Sequence, residues 1–239
     1  MRAIFLAGGK GTRLRPYTTL IPKPLVPVGE YAIMEIMVRQ LIHSGCDHIT
    51  VSLTNQAHLV SAFFGDGSRW GIKIDYSVEE KPLSTIGPLK LIKDLPDNFL
   101  LMNGDILTDL SMRDLYDDHC KSGATATIAT YERNVKVDFG VLETNEDKRI
   151  VGFVEKPIEH FRVSMGIYAL SKKILDLVPD NTPYGFDKLM LNLIARKDNA
   201  RSYPFTGYWL DIGRPDDYDQ ANDEFEKMRP RLLPDEAGK

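Results

Sequence analysis

The sequence predicts an α/β fold with a mostly parallel sheet flanked by helices and a small antiparallel extension. Three observations predict it. Short apolar runs alternate with amphipathic helical segments through roughly the first half of the chain. A glycine-rich loop follows the first apolar run directly. Later, two β-rich runs flank a turn at residues 145–148, which is typical of a hairpin. In such a sheet, functional sites are expected at the carboxyl ends of the strands.

The predicted elements follow in chain order. Residues 3–7 are expected as a buried strand, and residues 30–44 as a helix with one apolar face that ends at Gly45. The remaining strands are expected at 49–53, 72–78, 99–102, 124–131, 139–143, 150–154, 164–170 and 208–212, and the remaining helices at 58–64, 172–177, 186–196 and 216–228.

The composition excludes several classes of protein. The chain has 239 residues, of which 43% are hydrophobic and 27% charged, enough for one domain with an appended subdomain. A formal net charge of −4 gives no support for a nucleic-acid polymer or an anionic membrane as partner. No apolar run approaches the length of a membrane span, and because the predicted first strand begins near residue 3, no signal peptide is expected. With two isolated cysteines in no metal-ligand spacing, a reduced, cytoplasmic protein is expected.

The loop after the first strand concentrates positive charge. Its three glycines allow backbone N–H groups to surround phosphate oxygens, and cationic side chains supply the charge that a triphosphate needs. The loop therefore predicts a phosphate site, although a tight turn would explain the glycines alone. The Walker pattern does not fit, and the dinucleotide fingerprint fails because Leu14 stands where its third Gly falls. The charged side chains of the loop are Lys10, Arg13, Arg15 and Lys23.

Five motifs together resemble one family. LAGGKGTRLRPYT at residues 6–18 and IPKPLVPV at 21–28 are similar to the signature of the sugar-1-phosphate nucleotidylyltransferases, also called NDP-sugar pyrophosphorylases. NGD, EKP and WLDIG follow in the family's order, at 103–105, 155–157 and 209–213. The resemblance implies a Rossmann-like sheet, the nucleotide-diphospho-sugar transferase fold.

The resemblance also implies a domain organisation. Residues 1–229 are expected as a single nucleotidyltransferase domain, with a nucleotide half at about 1–110 and a sugar-binding half at about 111–229. Residues 230–239 are expected as a loose tail. Homodimers and tetramers are frequent among such proteins, and the sequence by itself leaves the choice between a monomer, a homodimer and a tetramer open.

Each candidate site residue takes its role from the resemblance. Arg13 and Lys23 are expected to be catalytic, at the departing phosphates and at the α-phosphate. Asp105 and Asp211 each end a short apolar strand, where a hard cation would find oxygen ligands, and they are expected to share Mg²⁺. The expected nucleotide-binding residues are Leu6, Ala7, Gly8, Gly9, Gly11, Thr12, Arg13, Glu79 and Gly87, and the expected sugar-phosphate-binding residues are Asn103, Gly140, Glu155 and Lys156.

Simpler interpretations exist for several of these residues. The Gly87-Pro88 pair is equally typical of a helix start. Glu155 and Lys156 could form an ordinary surface ion pair before a Pro. An Asp at a strand end could be no more than a cap. Asp109, Asp216 and Asp217 are best explained as residues around helix starts.

The implied reaction is nucleotidyl transfer. An oxygen of a sugar 1-phosphate attacks the α-phosphorus of a nucleoside triphosphate, pyrophosphate leaves, and no covalent enzyme intermediate is needed. The segment 87–89 is most like guanylyltransferases, so GTP and a mannose-type or heptose-type sugar 1-phosphate are expected, with uridylyl, thymidylyl and cytidylyl transfer open. The sequence departs from the family at Ser84, where a Gly is usual, and at 164–166, where Asn-Ala-Gly is frequent.

Three other functions fit parts of the pattern. A relative with another acceptor, such as phosphocholine, shares the first loop, but residues 85–89 and the EKP motif favour a sugar phosphate. A non-catalytic regulatory homologue that binds an NDP-sugar would be expected to lack a catalytic Asp, Arg or Lys, and all are present. A nicotinamide-dependent oxidoreductase is disfavoured at Leu14.

Overall fold

A computed structural model describes residues 1–9, 11–54 and 57–236. Its strands are β1 (Arg2–Leu6), β2 (Pro27–Val28), β3 (Tyr31–Ala32), β4 (His48–Leu53), β5 (Lys73–Val78), β6 (Asn98–Asn103), β7 (Ile106–Thr108), β8 (Ala126–Lys136), β9 (Val141–Thr144), β10 (Ile150–Val154), β11 (Ile158–Ser171), β12 (Ala200–Phe205) and β13 (Trp209–Asp211). Its α-helices are α1 (Ile33–His43), α2 (Ala57–Phe64), α3 (Met112–Ser122), α4 (Phe186–Ala195) and α5 (Pro215–Leu232). No α-helix in these ranges is long and apolar enough to cross a membrane.

The main sheet confirms the predicted fold class. Its seven strands lie in the order β12-β8-β11-β6-β1-β4-β5. Six of them run in one direction, and β11 is antiparallel to both of its neighbours. The predicted hairpin is also confirmed, because β9 and β10 pair in an antiparallel ladder outside the main sheet. The carboxyl ends of β1, β4, β5 and β6 therefore meet at one edge.

Apolar residues bury both faces of this sheet. Within β1, Ala3 and Phe5 point to a core formed with α1, α2 and α3, while Ile4 points to a second core formed with α4. A third core lies under α5, whose Phe225 packs with Ile33 and Leu14. Because both faces of β1 are covered, its residues 3–6 are apolar without alternation.

An arm of residues 132–163 extends from the sheet. The distal part of β8 pairs with the first part of β11, from Glu132 opposite Arg162 to Lys136 opposite Ile158. The β9-β10 hairpin lies between these strands in sequence, and its residues are mostly exposed. At the base of the arm the register shifts between Ser164 and Tyr168, where Gly166 adopts a φ of +74°.

Some element boundaries differ from the prediction. Helix α1 begins at Ile33 and not at residue 30, because β2 and β3 form a tight turn through Gly29, whose φ is +56°. The segment at 172–177 is a 3-10 helix. The sequence did not predict β7 or β12, since β7 has only three residues and β12 is a largely polar edge strand that contains Pro204.

The predicted loose tail is wrong for residues 230–236. Helix α5 continues to Leu232, and both Leu232 and Leu233 are 0% exposed in the third core. Beyond the helix, Glu236 accepts hydrogen bonds from Arg39 at 2.8 Å and from Arg229 at 3.2 Å. Burial of two leucines and these ion pairs hold the segment against α1. Residues 237–239 of the predicted tail lie outside the described residues.

Candidate active site

A cavity of about 350 Å³ opens at the carboxyl edge of the parallel strands. We call it the first cavity. Most of its wall comes from residues at or just beyond the ends of β1, β4, β5 and β6, which is where strand topology places a site in such sheets. Its lining residues are Leu6, Ala7, Gly8, Gly9, Lys23, Pro24, Ser52, Thr54, Glu79, Pro82, Ser84, Thr85, Asn103, Gly104 and Asp105.

The glycine loop is held closely against its surroundings. The carbonyl of Gly8 accepts a hydrogen bond from the Thr54 hydroxyl at 2.5 Å, and a Cβ at Gly8 would lie 3.0 Å from the Thr54 methyl. Gly11 has a φ of +60°, and a Cβ there would lie 2.9 Å from Thr18. The positive φ and the close Thr18 side chain therefore favour glycine at position 11, and the space at Gly8 is tight. Lys10, predicted as part of the loop's charge, lies outside the described residues.

Lys23 and Asp105 form a close ion pair in the wall of the first cavity. Lys23 begins a short 3-10 helix that ends at Leu25, and Asp105 follows β6 after Gly104. Both side chains are largely buried, at 11% and 22% exposure. The second carboxylate oxygen of Asp105, Oδ1, is buried without a hydrogen-bond partner among the described residues. Because a buried unpaired acceptor is costly, this atom marks a place where a ligand is expected.

Asp211 lies next to this pair through the ladder of β7 and β13. It stands opposite Ile106, and the N–H of Ile212 donates to the Asp105 carbonyl at 3.0 Å. Asp211 is exposed on one side, but the protein atoms packed around its carboxylate raise its pKa by desolvation, and the charge of Asp105 raises it further, whereas Lys23 and Arg13 act in the opposite direction. Two carboxylates that repel each other in this way favour a cation between them.

Glu79 is a buried carboxylate in the wall of the first cavity. The residue is 8% exposed, and its Oε2 accepts a hydrogen bond from the Leu83 N–H at 2.7 Å. Its Oε1 has only a long contact of 3.5 Å with the Ser52 hydroxyl. Burial raises the pKa of Glu79 above its ordinary value. The side chain therefore retains acceptor capacity for a ligand.

A second cavity of about 350 Å³ lies beside Asp211. The rings of Tyr131 and Trp209 lie in its wall with their centroids 5.3 Å apart, and Trp209 Nε1 donates to the Met165 carbonyl at 3.1 Å. This hydrogen bond fixes the indole. The lining residues are Arg13, Tyr131, Arg133, Trp209, Leu210, Asp211, Gly213, Arg214, Asp217 and Gln220.

The predicted site residues divide between these places. Arg13 and Asp211 line the second cavity, and Gly11, Thr12 and Gly87 line neither cavity. Gly87 instead donates its N–H to the Tyr184 carbonyl at 3.0 Å. The predicted residues that line the first cavity are Leu6, Ala7, Gly8, Gly9, Lys23, Glu79, Asn103 and Asp105.

Three predicted sugar-phosphate residues lie on the arm and outside both cavity walls. A Cβ at Gly140 would lie 3.1 Å from the Glu155 carboxylate, so these two residues are neighbours. Glu155 and Lys156 are both exposed, and Lys156 Nζ lies 3.9 Å from Glu155 Oε1. This is the geometry of a surface ion pair, and their role toward a sugar phosphate stays a prediction.

Sequence reasoning missed several lining residues. Ser84 and Thr85 line the first cavity, but from their segment the sequence predicted only Glu79 and Gly87 as nucleotide-binding residues. Arg133 belongs to no local phosphate motif, so no signal in the sequence could have placed it beside Asp211. Arg214 directly follows the WLDIG motif that contains Asp211, and that adjacency could have identified it. Only the fold brings the arm and the start of α5 together.

Comparison with protein families agrees with this geometry. The family model described as nucleotidyl transferase matches residues 2–228, nearly the whole chain. The protein belongs to the nucleotidyl transferase family.

Similar curated proteins and solved structures include several sugar-1-phosphate nucleotidyltransferases. A mannose-1-phosphate guanyltransferase of Pichia angusta is 33% identical over 91% of this chain, and a UTP–glucose-1-phosphate uridylyltransferase of Synechocystis sp. is 33% identical over 92%. The chain spans 62% of the length of each of these relatives. Among solved structures, a putative glucose-1-phosphate thymidylyltransferase from Bacillus anthracis superposes with a TM-score of 0.75 at 25% identity, covering 93% of this chain and 94% of that one. HddC from Yersinia pseudotuberculosis, complexed with GMP-PN, gives 0.70 at 26% identity, covering 94% and 99%.

Proposed function

We propose that the protein transfers GMP from GTP to a sugar 1-phosphate of mannose or heptose type, releasing pyrophosphate and forming a GDP-sugar. The observation that carries this proposal is the group of Lys23, Asp105 and Asp211 beside a glycine loop at the carboxyl edge of the sheet. One cation and two carboxylates at that edge match what in-line attack on an α-phosphate needs, which is positioning and charge stabilisation.

Lys23 is assigned to the α-phosphate. Its ammonium group lies in the first cavity next to the reacting centre, where it would stabilise the negative charge that develops during transfer. Arg13 lies near Gly213. A Cβ built at Gly213 would be 3.7 Å from the guanidinium carbon of Arg13. From there Arg13 is assigned to the departing phosphates.

Asp105 and Asp211 are assigned to Mg²⁺. The unpartnered Oδ1 of Asp105 and the mutual repulsion of the two carboxylates fit a hard cation with oxygen ligands. No group of three or more His, Cys, Asp or Glu side chains suited to a metal occurs in the described part of the chain, so phosphate oxygens and water would complete the coordination. Bound there, Mg²⁺ would neutralise charge on the phosphates.

Glu79 supports guanine as the base. The Watson–Crick edge of guanine presents two adjacent donors, N1–H and the N2 amino group, and an ionised carboxylate only accepts hydrogen bonds. Uracil and thymine present a single donor between two acceptors. The free acceptor capacity of Glu79 in the wall of the first cavity therefore matches guanine best.

A second candidate is uridylyl transfer to glucose 1-phosphate. The observation that favours it is the Synechocystis relative, which is as similar to this chain as the fungal guanyltransferase. A single assay separates the two candidates.

The test is pyrophosphate release by the purified protein with Mg²⁺, over GTP, UTP, dTTP and CTP, each with mannose, glucose, N-acetylglucosamine and heptose 1-phosphates. The proposal expects release with GTP and with the mannose or heptose compound. The matched control is Asp105→Asn, which keeps the shape of the side chain and should abolish release. Release with UTP alone would replace the base assignment, and no release in any combination would contradict the proposed activity.

A further inference from the structure

The second cavity gathers three guanidinium groups. Arg13, Arg133 and Arg214 all line it, from the first loop, the proximal arm and the residue before α5. Among residues 1–9, 11–54 and 57–236, none of the three has a carboxylate oxygen within 4.0 Å, whereas Arg39 and Arg229 each hold several such partners. Three cationic groups around one cavity without a close counter-ion attract an anion.

The carboxylates in the same wall are committed to other contacts. Asp217 accepts hydrogen bonds from the N–H groups of Gly213 at 3.1 Å and Arg214 at 2.8 Å, and so caps the start of α5. Asp211 pairs with Ile106 in the β7-β13 ladder and is repelled by the neighbouring charge of Asp105. Two carboxylates that already have other interactions lie beside three guanidinium groups, so positive charge remains in excess in this wall. Each guanidinium offers five N–H donors in a planar fork that suits phosphate.

The position of Arg133 is fixed by its strand. Residues two apart on a strand point to the same side, so Arg133 shares the cavity face of β8 with Tyr131, whose ring packs on Trp209. Arg162 belongs to the neighbouring strand, opposite Glu132, and therefore points to the other face of the arm. The chain thus offers one arginine in the cavity and a matched one outside it.

We propose that Arg133 and Arg214, together with Arg13, form an anion subsite that holds a phosphate group on the Asp211 side of the reaction centre. This inference rests on the proposed function, which supplies two sources of that chemistry. They are the departing pyrophosphate and the phosphate of the acceptor sugar. Bidentate pairing with guanidinium groups is the shared mode of recognition.

The test measures binding in the absence of GTP. Pyrophosphate and mannose 1-phosphate are titrated separately by calorimetry into the full-length protein with Mg²⁺, into Arg133→Gln and Arg214→Gln, and into the control Arg162→Gln. Loss of a charged hydrogen bond should weaken binding by about 10-fold or more in the two cavity variants. Arg162→Gln should bind as the unmodified protein does. Whichever ligand loses affinity identifies the source of the phosphate.

Further variants exclude a trivial loss. Arg133→Lys and Arg214→Lys keep the charge without the fork, so they should recover part of the affinity, and thermal melting reports whether each variant is folded. Unchanged affinity for both ligands in the Gln variants, an equal loss in Arg162→Gln, or no binding of either ligand by the unmodified protein would overturn the subsite. Turnover is not needed for this measurement. If the Gln variants lost binding while the unmodified protein released no pyrophosphate in the activity assay, the proposed function would be contradicted and the subsite would stand.

Discussion

At the scale of single residues, the pairing of Lys23 with Asp105 organises the site. Lys23 lies at the carboxyl edge because a short turn flanked by two prolines places it there. Asp105 lies there because it follows the end of a buried strand. The motifs around both residues were visible in the sequence, and so was the expectation that they lie near each other. What the sequence could not give is the orphaned Oδ1 of Asp105, because that depends on every neighbouring side chain.

Removing the positive charge of Arg13 or of Lys23 should slow the reaction. Lys23→Ala and Arg13→Ala are each expected to lower kcat by at least ~100-fold, by analogy with loss of an oxyanion donor. The measurement is steady-state pyrophosphate release. Lys73→Ala is the control, since Lys73 begins β5 at the end of the sheet opposite the site. Near-normal rates in both loop variants would remove their catalytic assignment.

Glu79→Gln should reduce base discrimination. The amide replaces one acceptor with a donor that opposes the guanine edge, so the ratio of kcat/KM for GTP over UTP is expected to fall by about 10-fold or more. An unchanged ratio would show that Glu79 does not read the base.

The same residue predicts a pH dependence. Burial raises the pKa of Glu79 above its ordinary 4.5, so the carboxyl is protonated at a higher pH than an exposed Glu would be. The protonated form loses an acceptor, and GTP affinity should therefore fall as the pH drops toward and through this raised value. Subtracting the profile of Glu79→Gln removes the titration of the phosphates. The difference in dissociation constant should grow smaller on acidification, and parallel profiles would contradict the assignment.

At the scale of elements, the long and strongly patterned segments were predictable and the short ones were not. The apolar face of α1 and the runs of β1, β4 and β6 determine their own structure. By contrast, β7 and β13 have three residues each and exist because they pair with each other. Tertiary pairing decides such elements, and this ladder is what brings Asp211 to Asp105.

Ser84 carries strain in the loop over the first cavity. Its φ is +67°, in the left-handed region that a residue with a Cβ avoids. Ser84→Gly is expected to raise the free energy of unfolding by about 0.5–1 kcal/mol, and Ser84→Val to lower it by more than that. Urea denaturation measures both variants. A destabilised Gly variant would mean that the Ser side chain makes a stabilising interaction greater than the strain.

At the scale of the whole molecule, α5 completes the structure by closing the third core over the first loop and β13. The sequence predicted the helix but ended it at residue 228, whereas the helix continues through Pro230 to Leu232. The meeting of the arm with the first loop and the start of α5 at the second cavity was likewise beyond sequence reasoning, because Arg133 on the arm belongs to no motif and only packing brings it to the other two segments.

The end of α5 should contribute strongly to stability. Leu232 is fully buried, so Leu232→Ala is expected to lower the free energy of unfolding by about 2–5 kcal/mol. Leu191, 66% exposed on α4, provides the control, and Leu191→Ala should change stability by less than about 0.5 kcal/mol. If chemical denaturation gave the same change in the free energy of unfolding for Leu232→Ala and Leu191→Ala, the C-terminal segment would not be packed against the core.

The most direct test of the central claim is exchange of radiolabelled pyrophosphate into GTP. The account holds that Lys23, Asp105 and Asp211 support direct transfer between GTP and a sugar 1-phosphate without a covalent enzyme intermediate. Label should therefore enter GTP when GDP-mannose or the matching GDP-heptose is supplied, and should not do so with protein and GTP alone. Incorporation without any sugar compound would contradict direct transfer, and no incorporation with any NDP-sugar would contradict the nucleotidyltransferase activity.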